Sequence, residues 1–387
     1  RLKKTIPRFN NLYPTINDYE DYHVRRSYKG GYCYLNPDMQ DVEINDVYVY
    51  DVNSLYPYVM VNKPLPFGIG FHEEPKRSDQ LYVVRFKSEF QLKDGFLPTL
   101  QIKKNALYIG RENEYLTESN GETEMWLTNI DYDLAHKHYD FWNEEGHTYI
   151  TYNSHIGDLA PVINDNNTRK EKASQEGDGY TRLVAKLDNN MSYGAFGINP
   201  QRYGSEPILE DDKVRLKPVE SFGVGRYVPY ASFVTSYARE MTITAGQKNY
   251  ESFIYSDTDS LHLTKPAIGI DIHDEHLGMW KHEYPTLKKG DVSANPSINW
   301  NHKCFPSAKY LRQKTYVHGD ENKNIYAKYN KYGEYITELK CAGLPDIAKQ
   351  SITWDDFYMG KVIEGKLSRH VVKGGVCLLP TTFTIGG

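Results

Sequence analysis

Ser252-Phe-Ile-Tyr255-Ser-Asp257-Thr258-Asp259-Ser260-Leu-His-Leu263 is the stretch that decides how this chain folds. Two short apolar runs flank a turn made of Asp, Thr and Asp, the pattern of a tight β-hairpin. Two acids at a hairpin tip repel each other unless a cation neutralises them. Asp-x-Asp alone reads as a solvated turn. Here the turn lies inside an apolar hairpin, which favours a cation site built from hard oxygen ligands, as Mg²⁺ demands. Two such ions about 4 Å apart can clamp the attacking and leaving oxygens of a phosphoryl transfer.

Upstream, Asp46-Val-Tyr-Val-Tyr-Asp51 alternates with the period of two expected of a strand and ends in a third acid. A helix start follows at Asn53-Ser-Leu-Tyr-Pro57. Residues 168–197 are expected to be helical, with Leu183, Val184, Leu187 and Met191 on one face and a stop at Gly194. Another helix is expected over 229–249. Residues 198–228 are rich in Gly, Pro and charge, cannot bury a core, and suit an exposed β-ribbon. Residues 63–150 read as a small α+β unit, with strand-like runs at 82–86 and 107–109 and a helix near 131–142. Residues 1–45 read as mixed and turn-rich, 266–303 as irregular, and 343–387 as a small C-terminal unit. The fold class is α+β.

With 387 residues the chain suggests two to four compact units. No apolar run approaches the roughly 18 residues of a membrane helix, so a membrane partner is not expected. Arg1-Leu2-Lys3-Lys4 leads into Thr, Pro and Asn, unlike a signal peptide. Cys33, Cys304, Cys341 and Cys377 are scattered, which argues for free thiols and against a disulfide framework or zinc site. A net charge of −5 argues mildly against nucleic-acid binding, but distribution matters more than total. Residues 1–31 carry Arg1, Lys3, Lys4, Arg8, Arg25, Arg26 and Lys29 against three acids, and 302–317 carry four cations and none. Tyr is abundant, 33 residues, and offers stacking faces for nucleotides, although most will be ordinary packing.

Asp51-Val-Asn-Ser-Leu-Tyr-Pro57, Lys186-Leu-Asp-Asn-Asn-Met-Ser-Tyr-Gly194 and Tyr255-Ser-Asp-Thr-Asp-Ser260 resemble motifs A, B and C of family B DNA polymerases, in the family's order. Tyr28-Lys-Gly-Gly31, Lys314-Thr-Tyr316 and Thr382-Phe-Thr-Ile385 narrow the resemblance to the protein-primed branch of small tailed bacteriophages. The resemblance implies a right-hand fold of palm, fingers and thumb with two insertions. It places the palm at 1–62 and 229–342, the first insertion at 63–150, the fingers at 151–197, the second insertion at 198–228 and the thumb at 343–387. It implies catalytic roles for Asp51, Asp257 and Asp259, with two Mg²⁺ ions (Mn²⁺ substituting) on Asp51, the Val52 carbonyl and Asp259. Asp257 would be near without being a direct ligand. Lys186, Arg182 and Lys172 would meet the triphosphate of a dNTP, Tyr56 would block a 2′-hydroxyl, and Asn190, Tyr193 and Gly194 would complete the nucleotide site. Primer and template would meet Tyr28, Gly30, Gly31, Ser54, Thr258, Lys314 and Tyr316.

Two departures accompany the match: Asn190 is followed by Met191 where Ser is usual, and the stretch 281–307 is longer than expected. His273-Asp-Glu-His276 reads as a solvated turn. The rest of the resemblance implies a monomer working in the cytoplasm of a bacterial host, with a priming terminal protein as a further partner. About 27 residues precede Tyr28, so the 3′–5′ exonuclease domain of the branch is not expected in this chain. A non-catalytic relative that binds DNA or a priming protein, and a metal-dependent nuclease, are the rival readings. The first would have lost a carboxylate; the second would need neither Tyr56 nor the Lys186–Tyr193 helix.

Overall fold

In the computed structural model, residues 2–101, 115–211, 213–223, 225–283, 303–329, 335–337, 339–372 and 375–385 are described. The strand-like run at 107–109 and most of 281–307 lie outside them. The apolar hairpin forms as its alternation dictates and becomes the middle of an antiparallel sheet. Its strands are β1 (Cys33–Leu35), β2 (Glu43–Val52), β3 (Phe253–Asp257), β4 (Ser260–Leu263), β5 (Trp280–Glu283), β6 (Phe305–Arg312) and β7 (Thr315–Gly319). They run in the order β1-β3-β4-β2-β6-β7, and Lys340–Cys341 pairs outside β7. The second edge of β2 is shared, with β5 beside its C-terminal half and β6 beside its N-terminal half. A strand at 280–283 departs from the irregular reading of 266–303; pairing with an open edge of β2 decides it, which local sequence does not record.

Six helices frame the site. α1 (Asp18–Ser27) lies in the region read as turn-rich. Its start is made by Asn17, whose side chain accepts from the Glu20 N–H at 2.8 Å, and by acids in the first turn with Arg25 and Arg26 in the last. α2 (Leu55–Asn62) leaves the end of β2, and α3 (Asn129–His138) is capped by Thr128. The single helix expected over 168–197 is two, α4 (Ala160–Gln175) and α5 (Gly179–Gly197). The break falls at Gly177, in the left-handed region at φ 72°, and Asp178 then caps α5 through the Thr181 N–H. α6 (Val228–Lys248) is buried nearly all round, as a helix at the centre of a core must be.

The expected apolar face of α5 is corrected by the structure. Leu183, Leu187 and Met191 are exposed, Met191 by 66%. The face packed inward holds Ala185, Asn189, Ser192 and Phe196. Asn189 is buried because Asn166 donates to it at 2.9 Å and it donates to Asn167 at 2.8 Å, so an amide pair locks α4 to α5 in place of aliphatic packing.

A separate four-stranded sheet runs Pro64–Phe71, Tyr139–Ile156, Leu81–Leu92, Thr123–Thr128 in spatial order and carries α3. Gln201–Glu210 and Lys213–Phe222 form a two-stranded ribbon. Its second strand packs against both strands of the C-terminal hairpin, Val362–Val372 and Gly375–Thr384. All four cysteines are free thiols. Among the described residues no helix is long and apolar enough to cross a membrane.

Candidate active site

Strand register assembles the acids. Ser260 on β4 faces Asp51 of β2 on one side and Asp257 of β3 on the other. Asp259 stands in the turn between β3 and β4, with its carbonyl accepting from the Val52 N–H at 2.8 Å. The turn is strained: Thr258, a β-branched residue, sits in the left-handed region at φ 68°. Two bonds hold it there, Thr258 N–H to the Tyr32 carbonyl at 2.5 Å and Thr242 Oγ1 to the Thr258 carbonyl at 2.8 Å. Gly31 packs so closely that a Cβ there would lie 2.6 Å from Thr258 Cγ2, so this position has room for glycine alone.

The three acids are not equivalent. Asp257 accepts from Lys314 Nζ at 2.5 Å. Asp51 and Asp259 have no such partner among the described residues. Burial, then Asp259 and Glu283, push the Asp51 carboxyl up to about 8, and Lys186 and Lys281 offset only part of this. Burial also raises Asp259, with Asp257 and Glu283 adding to it. The pair fits a divalent cation, which would reverse these shifts. Among the described residues no group of three or more His, Cys, Asp or Glu is arranged to hold an ion by protein ligands alone. Mg²⁺ bound by two carboxylates completes its shell with water and substrate phosphate.

Opposite the acids stands a cluster of cations. Lys186 and Arg182 lie on α5, and Lys170 on α4 reaches Ser54 Oγ at 3.0 Å. Burial, then Arg182 and Lys186, hold the Lys170 ammonium below the usual lysine range. Sequence reasoning named Lys172 instead. That side chain is exposed and lies 3.8 Å from Glu176. The missed signal was helical phase: the buried face of α4 carries Val162, Ile163, Asn166 and Ala173, and Lys170 is one turn beyond Asn166 while Lys172 is not.

Between the two clusters the rings of Tyr56 and Tyr193 meet, centroids 4.3 Å apart. Asn190 is exposed beside them, and a side chain at Gly194 would touch nothing within 4 Å. The space above that glycine is open to a ligand. Tyr28 sits under the end of α5, where a Cβ on Gly197 would come 2.5 Å from its hydroxyl. The carbonyls of Lys29 and Gly30 accept from Arg239, another residue the sequence did not single out. Lys314, at φ 59°, donates its backbone N–H to Tyr255 Oη at 2.9 Å, and Tyr316 packs on Tyr255 with centroids 5.3 Å apart. His273 and His276 stack on each other in an exposed turn, with His273 Nδ1 accepting two backbone N–H groups and the His273 carbonyl accepting from Asn53 Nδ2 at 2.7 Å.

A family model described as DNA polymerase type B, organellar and viral, matches residues 2–275. The DNA polymerase of Bacillus phage Nf is 36% identical over 394 residues, covering 98% of this chain and 64% of the relative. That of Bacillus phage phi29 is 35% identical, covering 98% and 65%, and that of Streptococcus phage Cp-1 is 31% identical, covering 99% and 64%. A solved structure of phi29 DNA polymerase complexed with primer-template DNA and incoming nucleotide substrates superimposes with a TM-score of 0.82 at 34% identity, over 99% of this chain and 65% of that one. The chain therefore spans 64–65% of the length of these relatives. Its α+β architecture is the right-hand polymerase fold with two insertions. Motif order, strand register and these comparisons agree, and the chain belongs to the type B DNA polymerases of organelles and viruses.

Proposed function

We propose that the chain carries template-directed nucleotidyl transfer, adding dNTPs to a DNA or protein-linked 3′-hydroxyl. The observation that carries this reading is a pair of opposite electrostatic deficits. The Asp51 and Asp259 carboxyls stay raised although Lys186 lies near both, and the Lys170 ammonium stays lowered by burial and by Arg182 and Lys186. A divalent cation on a nucleoside triphosphate supplies both missing partners at once. Two Mg²⁺ ions, with Mn²⁺ able to substitute, would supply Lewis-acid stabilisation of the reacting oxygens. Asp51, the Val52 carbonyl and Asp259 would hold them. Lys170, Arg182 and Lys186 bind and orient the triphosphate. Tyr56 fills the place of a 2′-hydroxyl, and Tyr193 with Asn190 and Gly194 supports the nascent pair. Lys314 keeps Asp257 paired and, with Tyr316, lies along the primer; Tyr28, Gly30, Gly31, Ser54 and Thr258 lie along primer and template. Lys172 has no part in this arrangement.

The same reading takes 1–62 and 229–342 as palm, 63–150 and 198–228 as insertions, 151–197 as fingers and 343–387 as thumb. The contact between the ribbon and the C-terminal hairpin supports a ring that admits single-stranded template, so that advance displaces the downstream strand. Priming from a terminal protein, a monomeric state and action in the cytoplasm of a bacterial host complete the proposal, as the resemblance to the protein-primed branch implies. A nuclease would leave Tyr56 and the three cations without a task.

The test is primer extension with Mg²⁺ and dNTPs on a primed single strand. The wild-type chain is expected to copy the template. Replacing residues 203–222 by a short Gly-Ser linker is expected to leave short extension intact but stall it at a downstream duplex; equal progress on both templates would sink the ring.

A further inference from the structure

We propose that Asp131, on the helix α3 of the four-stranded insertion, is a positioning residue for the template-contact loop at residues 29–31, acting through Arg239. The inference rests on the polymerase reading above and extends it. Arg239 is on α6 and only 2% exposed. All five of its N–H groups are engaged. Nε donates to Asp131 Oδ1 at 3.0 Å, and Nη2 to Asp131 Oδ2 at 2.6 Å and Ser236 Oγ at 2.9 Å. Nη1 donates to the carbonyls of Lys29 at 3.0 Å and Gly30 at 2.6 Å. Asp131 Oδ2 also accepts from Thr128 and Ser236, so the carboxylate is itself fixed.

A guanidinium is planar, and a carboxylate that grips it from one side fixes the direction of the donors on the other. Asp131 therefore determines where Nη1 points, and Nη1 holds the loop. The loop in turn bears on the catalytic turn, because Gly31 packs against Thr258 and the Tyr32 carbonyl accepts the Thr258 N–H. One helical turn beyond Arg239, Thr242 grips the Thr258 carbonyl. α6 thus holds the loop and the turn at a fixed spacing, and Asp131 sets the loop's end of that spacing. An apolar pair of similar volume would pack without the desolvation cost of a buried ion pair, but it could not aim a donor at the two carbonyls.

Two variants separate positioning from mere support. Asp131→Asn with Arg239→Gln removes both charges of the pair together. Arg239→Lys keeps the charge beside Asp131 but has three donors where five are needed. For each, melting, primer-template affinity without divalent metal, and the KM for dNTP are compared with wild type. The expected result is a cooperative melt, primer-template affinity weaker by about tenfold, and an unchanged KM for dNTP. An affinity within threefold of wild type in either variant that melts cooperatively overturns the proposal. So does loss of the cooperative melt in both variants, which would make the pair a requirement of folding alone. If the wild-type chain neither binds nor extends a primed template, the polymerase reading fails and this inference with it.

Discussion

Two buried carboxylate sites lie near α6 and solve the same problem in opposite ways. At Asp131 burial raises the carboxyl, but Arg239 and its hydrogen bonds reverse this and hold it below the usual range. At Asp51 and Asp259 burial and neighbouring carboxylates raise the carboxyls, and Lys186 nearby does not reverse the shift. The first site is complete within the chain. The second keeps its raised carboxyls, and groups shifted in this way cluster at functional sites.

The largest expected effect comes from breaking the incomplete site. Asp51→Asn or Asp259→Asn should lower nucleotide incorporation by roughly a thousandfold or more, because charge stabilisation in the transition state is lost. The same change should not lower the melting temperature of the metal-free protein, since it removes a repulsion. Extension above about a hundredth of the wild-type rate would break the assignment. At the complete site the order is reversed. Asp131→Asn leaves Arg239 buried and uncompensated, and should cost about 3–5 kcal/mol of stability in a denaturant melt. Were it as stable as wild type, the contrast between the two sites would fail.

A smaller effect is expected beside the incomplete site. Tyr56→Val should loosen rejection of ribonucleotides by about ten- to a hundredfold while dNTPs are still used, as competition between the two nucleotides would measure. Undiminished rejection would remove Tyr56 from its proposed role. The smallest effect concerns pH. The folded pKa of Asp51 lies above its unfolded value, so its contribution to stability is present below about 4 and is lost as pH rises through about 8. A metal ion must displace that proton at low pH and meets the bare carboxylate at high pH. Added Mg²⁺ should therefore raise the melting temperature by a few degrees at about pH 8.5 and hardly at all at about pH 5. Asp131 runs the other way: its pKa is depressed, so its contribution is present at neutral pH and lost only as pH falls through the folded value.

The same contrast shows what could be read from the sequence. The hairpin at 253–263, the strand ending in Asp51 and the helix at 228–248 were legible because their periodicity is local and strong. The incomplete site was legible for the same reason, since its acids fall at the ends of those strands. The complete site was not, because Asp131 and Arg239 are 108 residues apart and neither belongs to a local pattern. Lys170, and not Lys172, is the lysine of α4 that reaches Ser54, because which face of α4 meets α5 is set by tertiary packing. The buried face of α5 was misread because Asn189, a polar residue, is the one packed inward.

The contact of Gly31 with Thr258 has a bearing on how such a sequence can change over time. A Cβ at position 31 would come within 2.6 Å of the threonine methyl, so each position limits what the other can hold. A side chain gained at 31 is tolerable only after bulk has been shed at 258, and the reverse order passes through a clash at the catalytic turn. Viable variants of this region should therefore be reached in one order and seldom in the other, so a lineage's history at these two sites is directional.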